Sequence, residues 1–269
     1  MVSVLSEWGM AGVEVLRDRV SAFVVVDVLS FSTAVDVAVS RGAAVYAFPH
    51  GDETGARATA EREGAVLARL RRASGDGFSL SPVSLLSIPA GTKLVLPSPN
   101  GSRLSLACGG TPVLAGCLRN AAAVARVARD LAGGGAVGVV PAGERWPDGS
   151  LRPAIEDLLG VGAVVHHLGL SCSPEAQVAR DAFRAAGGDV ARLIRTSVSG
   201  RELVERGFPG DVDLAAERDV SPCAPLDRWR LPRSLNAVGE AWRPSRHRPW
   251  GVVRPGRIES SPPTPCRPG

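Results

Sequence analysis

The stretch VVVDVLSFST (24–33) sets a carboxylate, Asp27, at the end of an apolar run and follows it with the hydroxyls of Ser30, Ser32 and Thr33. An ionised carboxylate taken out of water is costly unless it is paired, protonated or bound to a metal. Two readings compete for this stretch. In one, Ser32 or Thr33 caps a helix starting at Ala34, and backbone amides satisfy Asp27. In the other, Asp27 is a metal ligand or catalytic carboxylate, and Ser30, Ser32, Thr33 and the first amides of the helix face a bound anion. A second stretch, PSPNGS (97–102), offers Asn100 and Ser102 as neutral donors, and Gly101 lets the backbone approach a ligand closely. Asn-Gly is equally a common turn dipeptide. A third, PAGERWPDGSLRPAIEDL (141–158), sets Glu144, Arg145, Asp148, Arg152, Glu156 and Asp157 within fourteen residues. Carboxylate oxygens suit Mg²⁺, which takes one or two of them and completes its shell with water and phosphate oxygens. Acids in the first turn of a helix are also favoured by its dipole, so Glu156 and Asp157 carry a structural reading beside the chemical one.

Each of these stretches follows an expected strand. The β-branched run Ala22–Leu29 fits a strand covered on both faces. Ala43–Phe48, Lys93–Pro97, Pro112–Gly116 and Ala136–Val140 read as further strands. Between them, helices are expected over 10–20, Ala34–Arg41, 52–64, Ser102–Cys108 and Ala121–Leu131, then 153–168, 173–187 and 189–207. Asp52 is placed to cap the third of these and Gly64 to stop it. Residues 72–90 are rich in Ser, Gly and Pro and form an irregular loop. Alternation at this spacing predicts an α/β fold, a three-layer α/β/α arrangement around a mainly parallel, mixed sheet. Ligands in such folds bind outside the carboxyl ends of the strands, which is where all three polar stretches fall.

Composition narrows the classes. With 45 % hydrophobic residues and a mean hydropathy of +0.09, the 269-residue chain is globular and not disordered in bulk. No apolar run approaches the ~20 residues of a membrane span, and no basic segment precedes a long apolar one at the start, so no membrane partner and a cytoplasmic location are expected. Five cysteines, without a CxxC pair or histidine at ligand spacing, argue against a disulfide framework or structural zinc. Dinucleotide, P-loop and hydrolase-elbow fingerprints are absent. His166-His167 lies within an expected helix and reads as half-buried packing. The sequence pI near 9.1 is a property of one segment. Residues 228–269 hold nine Arg against Glu240 and Glu259, while residues 1–227 carry a net charge of −3. Nucleic acid is therefore not an expected partner. The chain divides into an α/β domain, 1–227, and an Arg/Pro-rich extension, 228–269, expected to be disordered because no apolar periodicity survives there.

Together, VVVDVLSFSTAVDVAVSRGA, SPNGS, PAGERWPDGSLRPAIEDLLGVGAVV and SGRELVERGFPGDVDLAAERD, in that order over residues 7 to 226, resemble the 2-phosphosulfolactate phosphatase family. The resemblance implies a Mg²⁺-dependent phosphatase of α/β/α architecture that releases phosphate from 2-phosphosulfolactate to leave sulfolactate, a step of coenzyme M biosynthesis. It implies Asp27 as the strand-end carboxylate, Ser32 and Thr33 as the hydroxyl pair and Asn100-Gly101-Ser102 as the donor loop. Glu156-Asp157 match the acidic pair opening a helix, and Asp211 and Asp219 match late acidic positions. Two departures bear on anion recognition. Ser30 stands where the family commonly has Arg, and GFSLSPVSL (77–85) lacks the family's Gly-Asn. Arg145 or Arg152 is expected to supply the missing charge. The working mechanism places Mg²⁺ on Asp27 and Asp157 with Glu156. Asp27, Ser32 and Asp157 are then catalytic, and Ser30, Thr33, Asn100, Gly101, Ser102, Arg145 and Arg152 bind a small phosphorylated, in the family sulfonated, organic acid. The nucleophile stays open between water and a side chain such as Ser32 or Asp27. A homodimer is compatible with this reading. The alternative is a protein of the same fold that binds a small anion without catalysis.

Overall fold

A computed structural model describes residues 4–69, 71, 77–227 and 249–252. Val4–Ser6 (β1) and Gly9–Leu16 (α1) lead into Ala22–Val26 (β2), which ends one residue before Asp27. Phe31–Ser40 (α2), Ala44–Pro49 (β3), Glu53–Glu63 (α3) and Val66–Leu67 (β4) follow. Then come Lys93–Ser98 (β5), Gly101–Ala107 (α4), Val113–Gly116 (β6), Ala121–Ala132 (α5) and Val137–Pro141 (β7). A hairpin of Glu144–Arg145 (β8) and Leu151–Arg152 (β9) precedes Ile155–Leu168 (α6). Pro174–Ala186 (α7), Val190–Thr196 (α8), Val198–Glu205 (α9) and Pro209–Ala215 (α10) complete the helices, and Pro225–Asp227 (β10) and Gly251–Val252 (β11) the strands.

The fold is mixed α/β with mostly parallel pairing, as the alternation implies. Apart from the β8–β9 hairpin, the strands divide between two sheets. In the larger, β1, β7, β2 and β6 run parallel, and β10 and β11 extend the β6 edge, each antiparallel to its neighbour. In the smaller, β3, β5 and β4 are all parallel. Nothing in an apolar run says which strand it pairs with, so one sheet and two are indistinguishable from periodicity.

The valines of β2 alternate between two cores. Val24 and Val26 pack with α5, α6 and α7. Phe23 and Val25 pack on the other face with α1, α2 and α4, a layer that also meets β3 and β5 of the small sheet. Both faces of β2 are covered, which is why its sequence does not alternate. Asp52 accepts a bond from the Gly55 amide (2.8 Å) and Gly64 ends α3 in the left-handed region (φ 59°), as the sequence implies. The helical reading of 189–207 resolves into α8 and α9, broken at Ser197, whose extended backbone and side-chain cap on Gly200 start a new helix. Helix α2 begins at Phe31 rather than Ala34, so neither Ser32 nor Thr33 is its cap. Cys108, Cys117, Cys172 and Cys223 are free thiols, and Cys266 lies outside the described residues.

Most of the extension 228–269 also lies outside the described residues. Its residues 249–252 are described and dock: Trp250 is 1 % exposed, exchanges backbone hydrogen bonds with Val45 of β3, and meets Phe31 edge to face at 6.2 Å. Because β11 pairs with β10 as Trp250 pairs with Val45, this short segment touches both sheets.

Candidate active site

The loops after β2, β5 and β7 converge where the carboxyl ends of the two sheets meet. Asp27 is the junction. Its Oδ1 accepts the Phe31 amide (3.1 Å) and its Oδ2 the Gly101 amide (2.8 Å), tying the first loop to the second. Only glycine fits at 101, because a Cβ there would lie 2.3 Å from the Phe31 ring and 2.8 Å from Asp27 Oδ2. Asp157 performs the matching task for the third loop: Oδ1 accepts the Val28 amide and Oδ2 the Gly143 amide, both at 2.8 Å. The hydroxyls work inward. Ser32 Oγ accepts the Asp27 amide and donates to Val25 O, Thr33 Oγ1 donates to Val28 O, and Ser102 Oγ donates to Leu96 O. All three are fully buried.

Above this floor opens a cleft of about 530 Å³. Of the residues singled out from sequence, Asp27, Ser30, Asn100, Arg145 and Arg152 line it. Ser32, Thr33, Gly101, Ser102, Glu156 and Asp157 lie beneath, not on its walls. Asp219 is remote, holding the Ala122 amide and His167 Nε2 at 2.9 Å each. Asp211 stands behind the wall. Four charged lining residues were not assigned roles from sequence: Arg71, Glu144, Glu202 and Arg206. Arg71 donates through Nη2 to Ser30 Oγ and to Leu80 O (3.1 Å), so a guanidinium from another segment stands at Ser30. The signal available was the basic run around Arg69, Arg71 and Arg72, just ahead of the altered 77–85 stretch.

The electrostatics are those of a crowded acidic centre. Asp27, Glu144, Glu156 and Asp157 act on one another. Burial raises the Asp27 carboxyl, opposed by its two amide bonds and Arg71. Burial, Asp27 and Glu156 raise Asp157 well above the usual range. Glu144, which accepts a bond from Asn100 Nδ2 at 3.1 Å, is raised to about 7 by burial, Asp27 and Glu156. One oxygen of Glu156, Oε2, is buried without a hydrogen-bond partner. Such a group calls for a cation or a proton. Among the described residues no three Asp, Glu, His or Cys side chains group closely enough to hold a metal alone. The donor set therefore fits Mg²⁺ only in its usual form, one or two carboxylates plus water and substrate oxygens. Around these acids stand the guanidiniums. Arg152 reaches Glu202 (3.4 Å) and lies over Trp146, and Arg145 bonds Gly149 O (2.9 Å).

Parallel strands ending in a cleft of carboxylates and arginines define an α/β protein equipped for a small anionic substrate. The model of the family described as 2-phosphosulpholactate phosphatase matches residues 13–228, and the chain belongs to that family of phosphatases. A probable 2-phosphosulfolactate phosphatase of Pseudothermotoga lettingae is 25% identical over 206 residues, covering 76% of this chain and 88% of the relative. Among the described residues no helix is long and apolar enough to cross a membrane.

Proposed function

We propose that the chain hydrolyses the phosphoester of 2-phosphosulfolactate, or of a closely similar small phosphorylated acid, and does so with Mg²⁺. The observation that carries this reading is a single cleft lined by Asp27 and Glu144 together with Arg71, Arg145, Arg152 and Arg206. Asp27 and Glu156 would hold Mg²⁺, which would neutralise phosphate oxygens and orient the reacting groups. Asp157 lies off the cleft walls with each oxygen bonded to an amide and serves as a clamp between loops, whereas Asp27, bonded to two amides in the same way, lines the cleft. Water is the nucleophile in this reading, because Ser32 is fully buried and its hydroxyl engaged on both sides. Arg145 and Arg152 bind the phosphoryl oxygens. Glu144, which lines the cleft and whose carboxyl is raised by burial first, would donate its proton to the ester oxygen as the P–O bond breaks. The attacking water forms the new P–O bond and gives up a proton, which restores Glu144.

The test is phosphate release from 2-phosphosulfolactate, 2-phospholactate and ethyl phosphate, each with Mg²⁺ and with EDTA. Turnover lost in EDTA supports the reading, turnover kept in EDTA removes the metal, and no turnover of any ester overturns it. Binding of these esters without turnover would instead indicate an anion-binding protein on the same fold.

A further inference from the structure

The positive charge of the cleft is unevenly matched. Arg152 has Glu202 beside it. Arg71 and Arg206 act on each other as like charges. The nearby carboxylate behind them is Asp211, 1 % exposed, whose Oδ2 stands 3.6 Å from Arg71 Nε. Both of those atoms are buried without a hydrogen-bond partner, so the pair is near but not closed. Asp211 is fixed from behind: its Oδ1 accepts the Ser81 hydroxyl and the Val83 amide (3.2 Å). The Phe208 ring lies 5.4 Å under the Arg71 guanidinium. Arg71 is thus gripped on three sides, by Asp211, Phe208 and Leu80 O, and delivered to the cleft wall at Ser30. Ser30 is small enough to leave that room. Arg71 is acted on by Asp27 and Glu144 as well as Asp211, and with Arg206 it puts two guanidiniums on the lining of the cleft, donors suited to an oxyanion.

We propose that Arg71, with Arg206 beside it, binds a second anionic group carried by the same substrate, a carboxylate or sulfonate, and that Asp211 and Ser81 position Arg71 for it. The inference rests on the phosphatase reading for the placement of the phosphoester at Asp27 and Glu144. It separates the acid group of the phosphoester, on Arg71 and Arg206, from its phosphoryl group, on Arg145 and Arg152.

The test is the ratio of kcat/KM for 2-phosphosulfolactate to that for ethyl phosphate, in wild type, Arg71→Gln and Arg206→Gln. Losing a charge-assisted hydrogen bond is worth about ten- to a hundredfold, so the ratio should fall by that much in Arg71→Gln, through KM. Arg206→Gln, an exposed position at the end of α9, should lower it by a smaller factor and carries the test if Arg71→Gln does not fold. As a positioning residue, Asp211→Asn should raise KM for the acid-bearing ester more than for ethyl phosphate. A ratio unchanged in the folded variants overturns the proposal. Calorimetric titration of sulfoacetate, which has no phosphate to lose, into wild type and Arg206→Gln separates the two readings. Weaker binding in the variant with no ester turned over sinks the phosphatase reading and keeps this one. Turnover with equal sulfoacetate affinity and an unchanged ratio sinks this one alone.

Discussion

Asp157→Asn distinguishes a clamp from a metal ligand. Asp157 is 3 % exposed and each of its oxygens accepts one amide, Val28 on one side and Gly143 on the other. The amide side chain is isosteric but presents an NH₂ to one of those N–H groups. One charge-assisted bond is lost, about 1.5–3 kcal/mol, and a buried donor is left facing a donor, about 1–3 kcal/mol. Against this, the neutral side chain escapes desolvation and the repulsion of Asp27 and Glu156, the causes that raise the Asp157 carboxyl. We therefore expect a net destabilisation of about 1–3 kcal/mol, a fall in Tm of about 2–12 °C for a folded region of this size. Thermal unfolding followed by circular dichroism in EDTA reads it, and activity against Mg²⁺ concentration is measured on the same preparations. A clamp lowers Tm and leaves the half-saturating Mg²⁺ concentration of the remaining activity in place. An unchanged or higher Tm, or a Tm unmoved while that concentration rises tenfold, would refute the reasoning.

Gly101→Ala should cost about 1–3 kcal/mol from overpacking and depress kcat, since its Cβ displaces Phe31 or Asp27 itself; wild-type kinetics in a folded variant would contradict this. Trp250→Ala should destabilise by about 3–5 kcal/mol, the cost of a large buried aromatic, measured by urea unfolding; a loss below 1 kcal/mol would mean that the segment does not dock. Glu144, with a folded-state value near 7 against 4.5 ordinarily, holds its proton more tightly when folded. Its stabilisation is present below about pH 4.5 and is lost as pH rises to about 7, at most about 3 kcal/mol, and Asp27 and Asp157 pull the same way. The Tm in EDTA should fall from pH 5 to pH 8, and Mg²⁺ should raise it more at pH 8 than at pH 5; a Tm rising across that window would contradict the sign.

What was legible in the sequence was local. The β-branched run before Asp27 announced β2, and Asp52 and Gly64 bounded α3 because caps are contacts within a few residues. That each of the three polar stretches follows the carboxyl end of a strand was implied by alternation; that those ends belong to two sheets was not. The roles within those stretches did not follow, because they depend on distant partners. That Asp157 accepts two loop amides depends on Val28, 129 residues away, and on Gly143. Ser32 and Thr33 look identical in sequence whether they face an anion or, as here, turn inward to Val25 and Val28 carbonyls. Arg71 was hidden among other arginines, and its selection came from Ser30, Asp211 and Phe208, three separate parts of the chain. Trp250 sits among Arg and Pro without apolar periodicity, yet one ring between Phe31 and β3 suffices to dock it.

The central claim is that a phosphoester is hydrolysed in the cleft floored by Asp27. Phosphate release from 2-phosphosulfolactate by wild type and by Asp27→Asn, with equal folded content by circular dichroism, tests it most directly. Wild type should turn the ester over and the variant should lose at least about a hundredfold, the scale of removing a preorganised electrostatic group. Equal phosphate release by the two proteins would contradict it.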